Sequence, residues 1–220
     1  MKKYKCILFD LDGTLTDPFD GITKSVQRGL LHFGIVENNR EKLGAFIGPP
    51  LRESFALFYN IPKERVEEAV AAYREYFSTV GMFENEVYDG IVQILAGLKE
   101  RGVKILLATS KPEVYARKIT EHFGLDQYFF EQCGADLEGK YETKSQVIAR
   151  AIEVCGEAAE NILMVGDRRH DVIGAKENGI ECIGVLWGYG DREELVSAGA
   201  AEIFETPESF KAALFSAFDE

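Results

Sequence analysis

The sequence lacks several patterns that define other classes of protein. Its apolar runs are all short, so we expect no membrane-spanning helix, and Asp10 and Asp12 interrupt the run after the basic N-terminus, which argues against a signal peptide. The four cysteines contain no C-x-x-C pair and only three histidines accompany them, so no zinc site is indicated. We therefore expect a cytoplasmic protein whose cysteines are reduced and mostly packed as small hydrophobic residues.

Positive charge is scarce as well. The 25 lysines and arginines stand against 37 aspartates and glutamates, which gives a formal net charge of -12 and an isoelectric point near 4.9. An acidic surface repels polyanions, so we expect neither nucleic acid nor an anionic membrane as a partner. An anionic substrate therefore requires a locally positive site made by a metal ion, lysine side chains or backbone amides.

Hydrophobic periodicity divides the chain into two kinds of segment. Between residues 17 and 82 apolar residues recur at helical spacing without an intervening strand, and this block includes a helix through Leu43 and Phe46. In the rest of the chain short apolar strands alternate with helices, among them a short strand over residues 128–131. The alternation predicts an α/β fold, a Rossmann-like parallel sheet covered by helices on both faces.

The predicted domain boundaries follow from this pattern. Because the strand at residues 7–9 belongs to the same sheet as the later strands, the helical block is an insertion. We predict an α/β core formed by residues 1–16 and 84–220, and an inserted all-helical cap domain formed by residues 17–83. The insertion directly follows the loop with Asp10 and Asp12, and the sequence is consistent with either a closing lid or a fixed helical subdomain.

The segment at residues 6–17, C-I-L-F-D-L-D-G-T-L-T-D, is the clearest chemical feature. A buried strand ends at Asp10, at the edge of the sheet where open α/β folds bind ligands, and Asp12 follows two residues later. Two adjacent carboxylates repel each other, so a cation must compensate them or one must become an acid. The pair therefore suits a metal ligand or nucleophile beside a proton donor, the alternative being a turn capped by the two aspartates.

Two hydroxyl groups and a lysine follow in later elements. Thr109 and Ser110 come at the end of the strand through residues 103–108 and directly before a helix, a position suited to holding phosphate oxygens. Helix capping by either hydroxyl is the alternative. Lys144 precedes the next helix, where it is either part of the site or a solvated residue of the first turn.

A second acidic loop follows the strand at residues 162–165. Asp167 and Asp171 in this loop can join Asp10 around a hard cation such as Mg²⁺, because that ion prefers carboxylate oxygens. Helix capping is the alternative for Asp171. Together with Asp12 these residues place four negative charges in one crevice, and only a divalent cation and a lysine can compensate them beside a phosphate.

These four elements resemble the motifs of the haloacid dehalogenase superfamily. The order is the same: strand-D-L-D-G-T-L-T-D, strand-T-S, an isolated lysine, and strand-G-D-R-R-H-D. The helical insertion resembles the helical cap of that superfamily. The segment G-V-L-W-G-Y-G at residues 184–190 is similar to phosphoglycolate-phosphatase-like members, and G-P-P at residues 48–50 is similar to these and to 5'-nucleotidase-like members.

The resemblance implies a magnesium-dependent phosphatase of small phosphomonoesters, phosphoglycolate phosphatase-like in its branch. A 5'-nucleotidase acting on nucleoside monophosphates is the alternative, and a non-catalytic sensor of a phosphorylated metabolite is a distant one. In the implied mechanism Asp10 attacks phosphorus to form an aspartyl-phosphate, and Asp12 acts first as acid and then as base. Asp10, the backbone carbonyl of Asp12 and Asp167 would hold Mg²⁺, with support from Asp171.

The same resemblance assigns the substrate contacts. Thr109, Ser110 and Lys144 would stabilise charge on the transferring phosphoryl group of a small phosphorylated metabolite. We further predict that Arg52 reaches a carboxylate or second phosphate of the substrate from the cap, the alternative being a surface arginine. A dehalogenase is disfavoured because that branch lacks the second acid of the first motif, and monomer and homodimer are both compatible with the sequence.

Overall fold

The computed structural model describes residues 1–137, 141 and 143–219. The chain forms two compact units. The core unit comprises Met1–Thr16 and Val87–Glu220, and the insert unit comprises Asp17–Glu86. Within the described ranges, none of the helices combines the length and the hydropathy that crossing a membrane requires.

Most strands of the described residues belong to one sheet. In chain order the strands are β1 (Cys6–Phe9), β2 (Thr16–Asp17), β3 (Glu86–Val87), β4 (Lys104–Pro112), β5 (Glu131–Ala135), β6 (Ile162–Gly166), β7 (Glu181–Val185) and β8 (Glu202–Phe204). Six of them form a parallel sheet in the order β5-β4-β1-β6-β7-β8, whereas β2 and β3 pair with each other. The predicted α/β fold with a parallel sheet is confirmed.

Helices follow the strands along the core unit and make up most of the insert unit. In chain order they are α1 (Phe19–Leu31), α2 (Leu51–Tyr59), α3 (Val66–Phe77), α4 (Ile91–Glu100), α5 (Glu113–His122), α6 (Lys144–Cys155), α7 (Arg169–Glu177), α8 (Arg192–Ala198) and α9 (Pro207–Asp219). The first three belong to the insert unit and the others to the core unit.

Strand β1 lies near the centre of the sheet and determines where polar side chains gather. All of its residues are buried, which requires an apolar run because a central parallel strand is covered on both faces. β4 pairs with one edge of β1 and β6 with the other, so that Phe9 lies beside both Leu107 and Val165. The chain therefore leaves all three strands at the same end of the sheet, at a switch point where such sheets bind ligands.

The described residues of the insert unit also form three 3₁₀ helices, Arg40–Phe46, Lys63–Arg65 and Gly81–Phe83. The helix predicted through Leu43 and Phe46 is the 3₁₀ helix Arg40–Phe46, which ends before the G-P-P at residues 48–50 that cannot continue a helix. Phe46 at its end packs edge-on against Phe55 and Phe58, at ring-centroid distances of 5.0 and 5.4 Å. The 3₁₀ helix is thereby packed on α2.

The short strand predicted over residues 128–131 is present but begins later, as β5 at Glu131. Asp126–Tyr128 instead form a 3₁₀ turn, in which the N–H of Tyr128 donates to the carbonyl of Leu125 at 3.0 Å. The hydrogen bonds to β4 begin at Phe130, whose N–H donates to the carbonyl of Ile105 at 2.7 Å, and β5 itself begins at Glu131, beside Leu106. The N–H groups of Tyr128 and Phe129 bond within this turn, so the strand starts three residues later than predicted.

Candidate active site

Asp10 and Asp12 lie in a tight turn directly after β1. The N–H of Asp10 donates to the carbonyl of Val165 at 3.0 Å, which continues the pairing of β1 with β6 by one residue. The chain then folds back, because the N–H of Thr16 donates to the carbonyl of Leu11 at 3.0 Å. Both aspartates are more than nine-tenths buried, and the turn holds them at the end of the sheet.

Three carboxylates come together at this end of the sheet. Asp10, Asp167 and Asp171 each offer an oxygen, and these oxygens lie within 4.8 Å of one another. Gly13 makes room for them: its φ of 82° is in the left-handed region, and a Cβ there would overlap the carboxylate of Asp167. The acidic triad predicted from the sequence is therefore assembled by the fold.

The segment at residues 184–190 supports the triad from β7. The backbone N–H of Tyr189 donates to Oδ2 of Asp167 at 2.8 Å, and the indole N–H of Trp187 donates to the carbonyl of Thr14 at 3.0 Å. A Cβ on Gly188 would collide with the carbonyl of Gly13, so only glycine permits this approach. In the sequence this segment is notable only for its resemblance to phosphatases, and no contact with the acidic residues is predicted for it.

Lys144 lies among the carboxylates instead of in solvent. It is the first residue of α6, where Thr143 forms the N-terminal cap, and its Nζ lies 2.7 Å from Oδ1 of both Asp10 and Asp171. The ammonium group also donates to the carbonyl of Ala108 at 3.1 Å. Burial lowers the pKa of Lys144, but Asp10 and Asp171 raise it by a larger amount. The pKa of Lys144 therefore lies above its usual value.

Asp171 both closes the N-terminus of α7 and lies in the acidic triad. Its Oδ2 accepts a hydrogen bond from the backbone N–H of Arg168 at 3.0 Å, which closes the N-terminus of α7. Its Oδ1 forms the ion pair with Lys144. The carboxylate is fully buried, so capping the helix and belonging to the acidic triad are compatible.

A second buried lysine, Lys111, was missed in the sequence. Its ammonium group forms an ion pair with Oδ2 of Asp12, and its backbone N–H donates to the hydroxyl of Thr109 at 3.2 Å. Thr109 is buried and Ser110 is partly exposed, and neither caps α5, whose N-terminus at Pro112 has no side-chain cap. The position of Lys111 directly after the T-S pair was the available signal.

The charges of the site do not balance. Six ionisable residues here are each more than nine-tenths buried as whole residues: Asp10, Asp12, Asp167, Asp171, Lys111 and Lys144. Burial raises the pKa of Asp167 well above its usual value, and the neighbouring carboxylates add to the effect. Burial likewise raises the pKa of Asp171 to about 6, although Lys144 opposes the shift. Four carboxylates beside two lysines fit a hard divalent cation, which would relieve this repulsion.

Arg52 lies in the insert unit. It is on α2, is exposed, and donates to both carboxylate oxygens of Glu67 on α3, the longer of the two bonds being 3.2 Å. The structure thus describes an arginine held within its own unit. Its contact with a substrate stays a prediction.

The family model described as haloacid dehalogenase-like hydrolase matches residues 7–185. The chain belongs to this family. It is 48% identical to a 5'-nucleotidase of Pseudomonas aeruginosa over 88% of this chain and 87% of that protein. It is 32% identical to phosphoglycolate phosphatase 1 of the same organism, over 84% of this chain and 70% of that protein.

A solved structure supports the same assignment. The crystal structure of a predicted phosphatase from Clostridium acetobutylicum superposes with a TM-score of 0.93 at 44% identity, covering 98% of this chain and 100% of that one. The predicted membership of the superfamily is confirmed, and so is the predicted enzyme class, a hydrolase of the phosphatase type.

Proposed function

We propose that the protein is a magnesium-dependent 5'-nucleotidase that hydrolyses nucleoside monophosphates through an aspartyl-phosphate on Asp10. The observation that carries the chemistry is the buried triad of Asp10, Asp167 and Asp171, in which Lys144 pairs with Asp10 and Asp171. The substrate class is supported by the 48% identity to a 5'-nucleotidase, against 32% to a phosphoglycolate phosphatase. The sequence pattern favoured the phosphoglycolate branch, and the comparisons favour its alternative.

In the proposed reaction Asp10 is the nucleophile and Asp12 is the acid and base. A carboxylate oxygen of Asp10 attacks phosphorus while the bond to the ester oxygen breaks, and Asp12 gives that oxygen a proton. Water then attacks the aspartyl-phosphate, and Asp12 takes a proton from it. Inorganic phosphate leaves and both carboxyl groups return to their starting state.

The remaining predicted residues hold the groups that react. Asp10, the backbone carbonyl of Asp12 and Asp167 would hold Mg²⁺, with Asp171 in support, and the bound ion supplies positive charge for the phosphoryl oxygens. Lys144 holds the carboxylate of Asp10 in place by its 2.7 Å ion pair. Its positive charge, and the hydroxyls of Thr109 and Ser110, would stabilise the transferring group.

A phosphoglycolate phosphatase is the second candidate. It uses the same residues, and it is favoured by the G-V-L-W-G-Y-G segment at residues 184–190 and by the 32% identical relative. The two candidates differ in the part of the substrate that leaves, which is a nucleoside in one and glycolate in the other. In either case the proposed partner is a small phosphorylated metabolite.

The test is steady-state kinetics on nucleoside 5'-monophosphates, phosphoglycolate and p-nitrophenyl phosphate, with Mg²⁺ or with a chelator. We expect kcat/KM for the best nucleoside monophosphate to exceed that for phosphoglycolate by at least about tenfold, because specificity is a ratio of these values. The reverse ranking would favour the second candidate. Turnover of none of the esters, with metabolite binding retained, would favour the sensor.

A further inference from the structure

Lys111 is buried beside the acidic site, and it has no role in the proposed reaction as described so far. Its ammonium group forms an ion pair with Asp12, and the two side chains are only 5% and 12% exposed. An ion pair removed from water in this way has a defined geometry and is not an incidental surface contact. The pair therefore fixes the position of the Asp12 carboxylate.

The two oxygens of the Asp12 carboxylate have different surroundings. Lys111 binds Oδ2, whereas Oδ1 is buried and has no hydrogen-bond partner among the residues that the structure describes. A buried polar atom of this kind is costly, and such atoms are associated with catalytic roles or bound groups. Oδ1 is therefore the oxygen that is free to meet a reacting group.

Lys111 is itself held in place by the site. Its N–H donates to Oγ1 of Thr109, and the register of β4 against β5 shifts just after Thr109. Lys144, by contrast, contacts Asp10 and Asp171. The two buried lysines thus serve different carboxylates, one beside the nucleophile and one beside the acid.

We propose that Lys111 is the positioning residue for the proton transfers of Asp12, binding Oδ2 so that Oδ1 exchanges the proton. The inference rests on the proposed function. In the first step the proton on Oδ1 moves to the ester oxygen as the bond between that oxygen and phosphorus breaks. In the second step the water that attacks the aspartyl-phosphate returns one proton to Oδ1, so the carboxyl group gains and loses none over the cycle.

This role affects different substrates unequally. A nucleoside is a poor leaving group unless its oxygen is protonated, whereas p-nitrophenolate departs without a proton. The ratio kcat/KM compares the transition state with free enzyme and substrate, and so includes the departure of the leaving group. Impaired proton delivery therefore lowers kcat/KM for the nucleotide more than for the nitrophenyl ester. Neither a fold defect nor a lost phosphate contact has this signature.

The experiment compares wild type with Lys111→Met on a nucleoside 5'-monophosphate and on p-nitrophenyl phosphate in Mg²⁺. We expect kcat/KM to fall about 100-fold or more for the nucleotide and less than about tenfold for the nitrophenyl ester, as loss of general acid catalysis predicts. Lys111→Arg keeps a cation and should recover part of the loss on the nucleotide. Lys118→Met removes an exposed lysine of α5 and should leave both values at wild type.

Several results would overturn the inference. An equal loss on both esters would assign Lys111 to the transferring phosphoryl group, and unchanged values would leave it without a role. Additive losses in a Lys111→Met, Asp12→Asn double variant would show that the two residues do not act as a unit.

Folding and the proposed function are controlled separately. Circular dichroism checks that each variant folds. If Lys111→Met does not fold, Lys111→Gln replaces it with the same expected losses, and Lys111→Arg is still expected to recover part of the loss on the nucleotide. A wild type that hydrolyses neither ester would refute the proposed function and this inference together. That outcome differs from wild-type turnover without the substrate-dependent loss, which refutes the inference alone.

Discussion

The ammonium group of Lys144 lies 2.7 Å from Oδ1 of Asp10, the residue that follows β1. The same group lies 2.7 Å from Oδ1 of Asp171 in the first turn of α7. One cation at the start of α6 thus joins two parts of the chain that would otherwise repel each other. The lysine has a raised pKa, since the effect of the two carboxylates exceeds that of burial, and it stays charged at neutral pH.

Replacing Lys144 with Met should destabilise the metal-free protein. The change leaves two buried carboxylates without their cation, and removing one partner of a buried ion pair typically costs about 3–5 kcal/mol. Urea unfolding at neutral pH measures the free energy of unfolding. Lys176→Met, which removes an exposed lysine of α7, is the matched control and should change it by less than about 0.5 kcal/mol. A loss no larger than the control's would contradict the role of Lys144.

The stability of the metal-free protein should also show the titration of Asp171. Its pKa in the folded protein is raised to about 6, so the folded state binds more protons than the unfolded state between about pH 4 and pH 6. This carboxyl group therefore costs stability as the pH rises through that window. We expect the free energy of unfolding of wild type, relative to Asp171→Asn, to fall from pH 4 to pH 6. If the difference in free energy of unfolding between wild type and Asp171→Asn stays constant or rises with pH, the raised pKa of Asp171 is contradicted.

The triad could be predicted because parallel strands end at a common edge. Asp10 follows β1 and Asp167 follows β6, and the two strands pair directly. Lys111 could not be predicted in the same way. Its contact with Asp12 depends on β4 continuing to Pro112, beyond the predicted end of the strand.

Contacts made by backbone atoms could not be predicted from the sequence pattern either. The bond from the N–H of Tyr189 to Asp167 uses no side chain of the tyrosine, so residue identity carries no signal for it. The bond from Trp187 to the carbonyl of Thr14 joins residues 173 positions apart. The close approach of Gly188 to the carbonyl of Gly13 could not be predicted either, because it depends on how the fold places the two loops.

Trp187 offers a test of how the first turn is supported. It is the single tryptophan of the chain, and its indole N–H donates to the carbonyl of Thr14 at 3.0 Å. Trp187→Phe keeps an aromatic ring and removes the donor, so we expect a loss of about 1 kcal/mol in the free energy of unfolding. Because Thr14 also bonds to Asp167, the stabilisation by Mg²⁺ in thermal unfolding should decrease. If Mg²⁺ stabilises the variant as much as wild type, the bond from Trp187 to Thr14 does not affect metal binding.

Arg52→Ala tests the predicted substrate contact from the insert unit. If Arg52 binds part of the substrate, the ranking of phosphate esters by kcat/KM should change, because a lost contact affects only esters that carry the recognised group. Arg65→Ala is the matched control, since Arg65 is an exposed arginine of the same unit that pairs with Glu68. An identical ranking in both variants would leave Arg52 as a surface arginine paired with Glu67.

The central claim is that Asp10 carries the phosphoryl group during turnover. Acid quenching during turnover of a nucleoside 5'-monophosphate in Mg²⁺, followed by mass spectrometry of peptides, detects an aspartyl-phosphate directly. We expect one phosphoryl group on the peptide that contains Asp10 in wild type, and neither this adduct nor turnover in a folded Asp10→Asn variant. Wild-type turnover by Asp10→Asn, or a phosphoryl group on a different residue, would contradict the account.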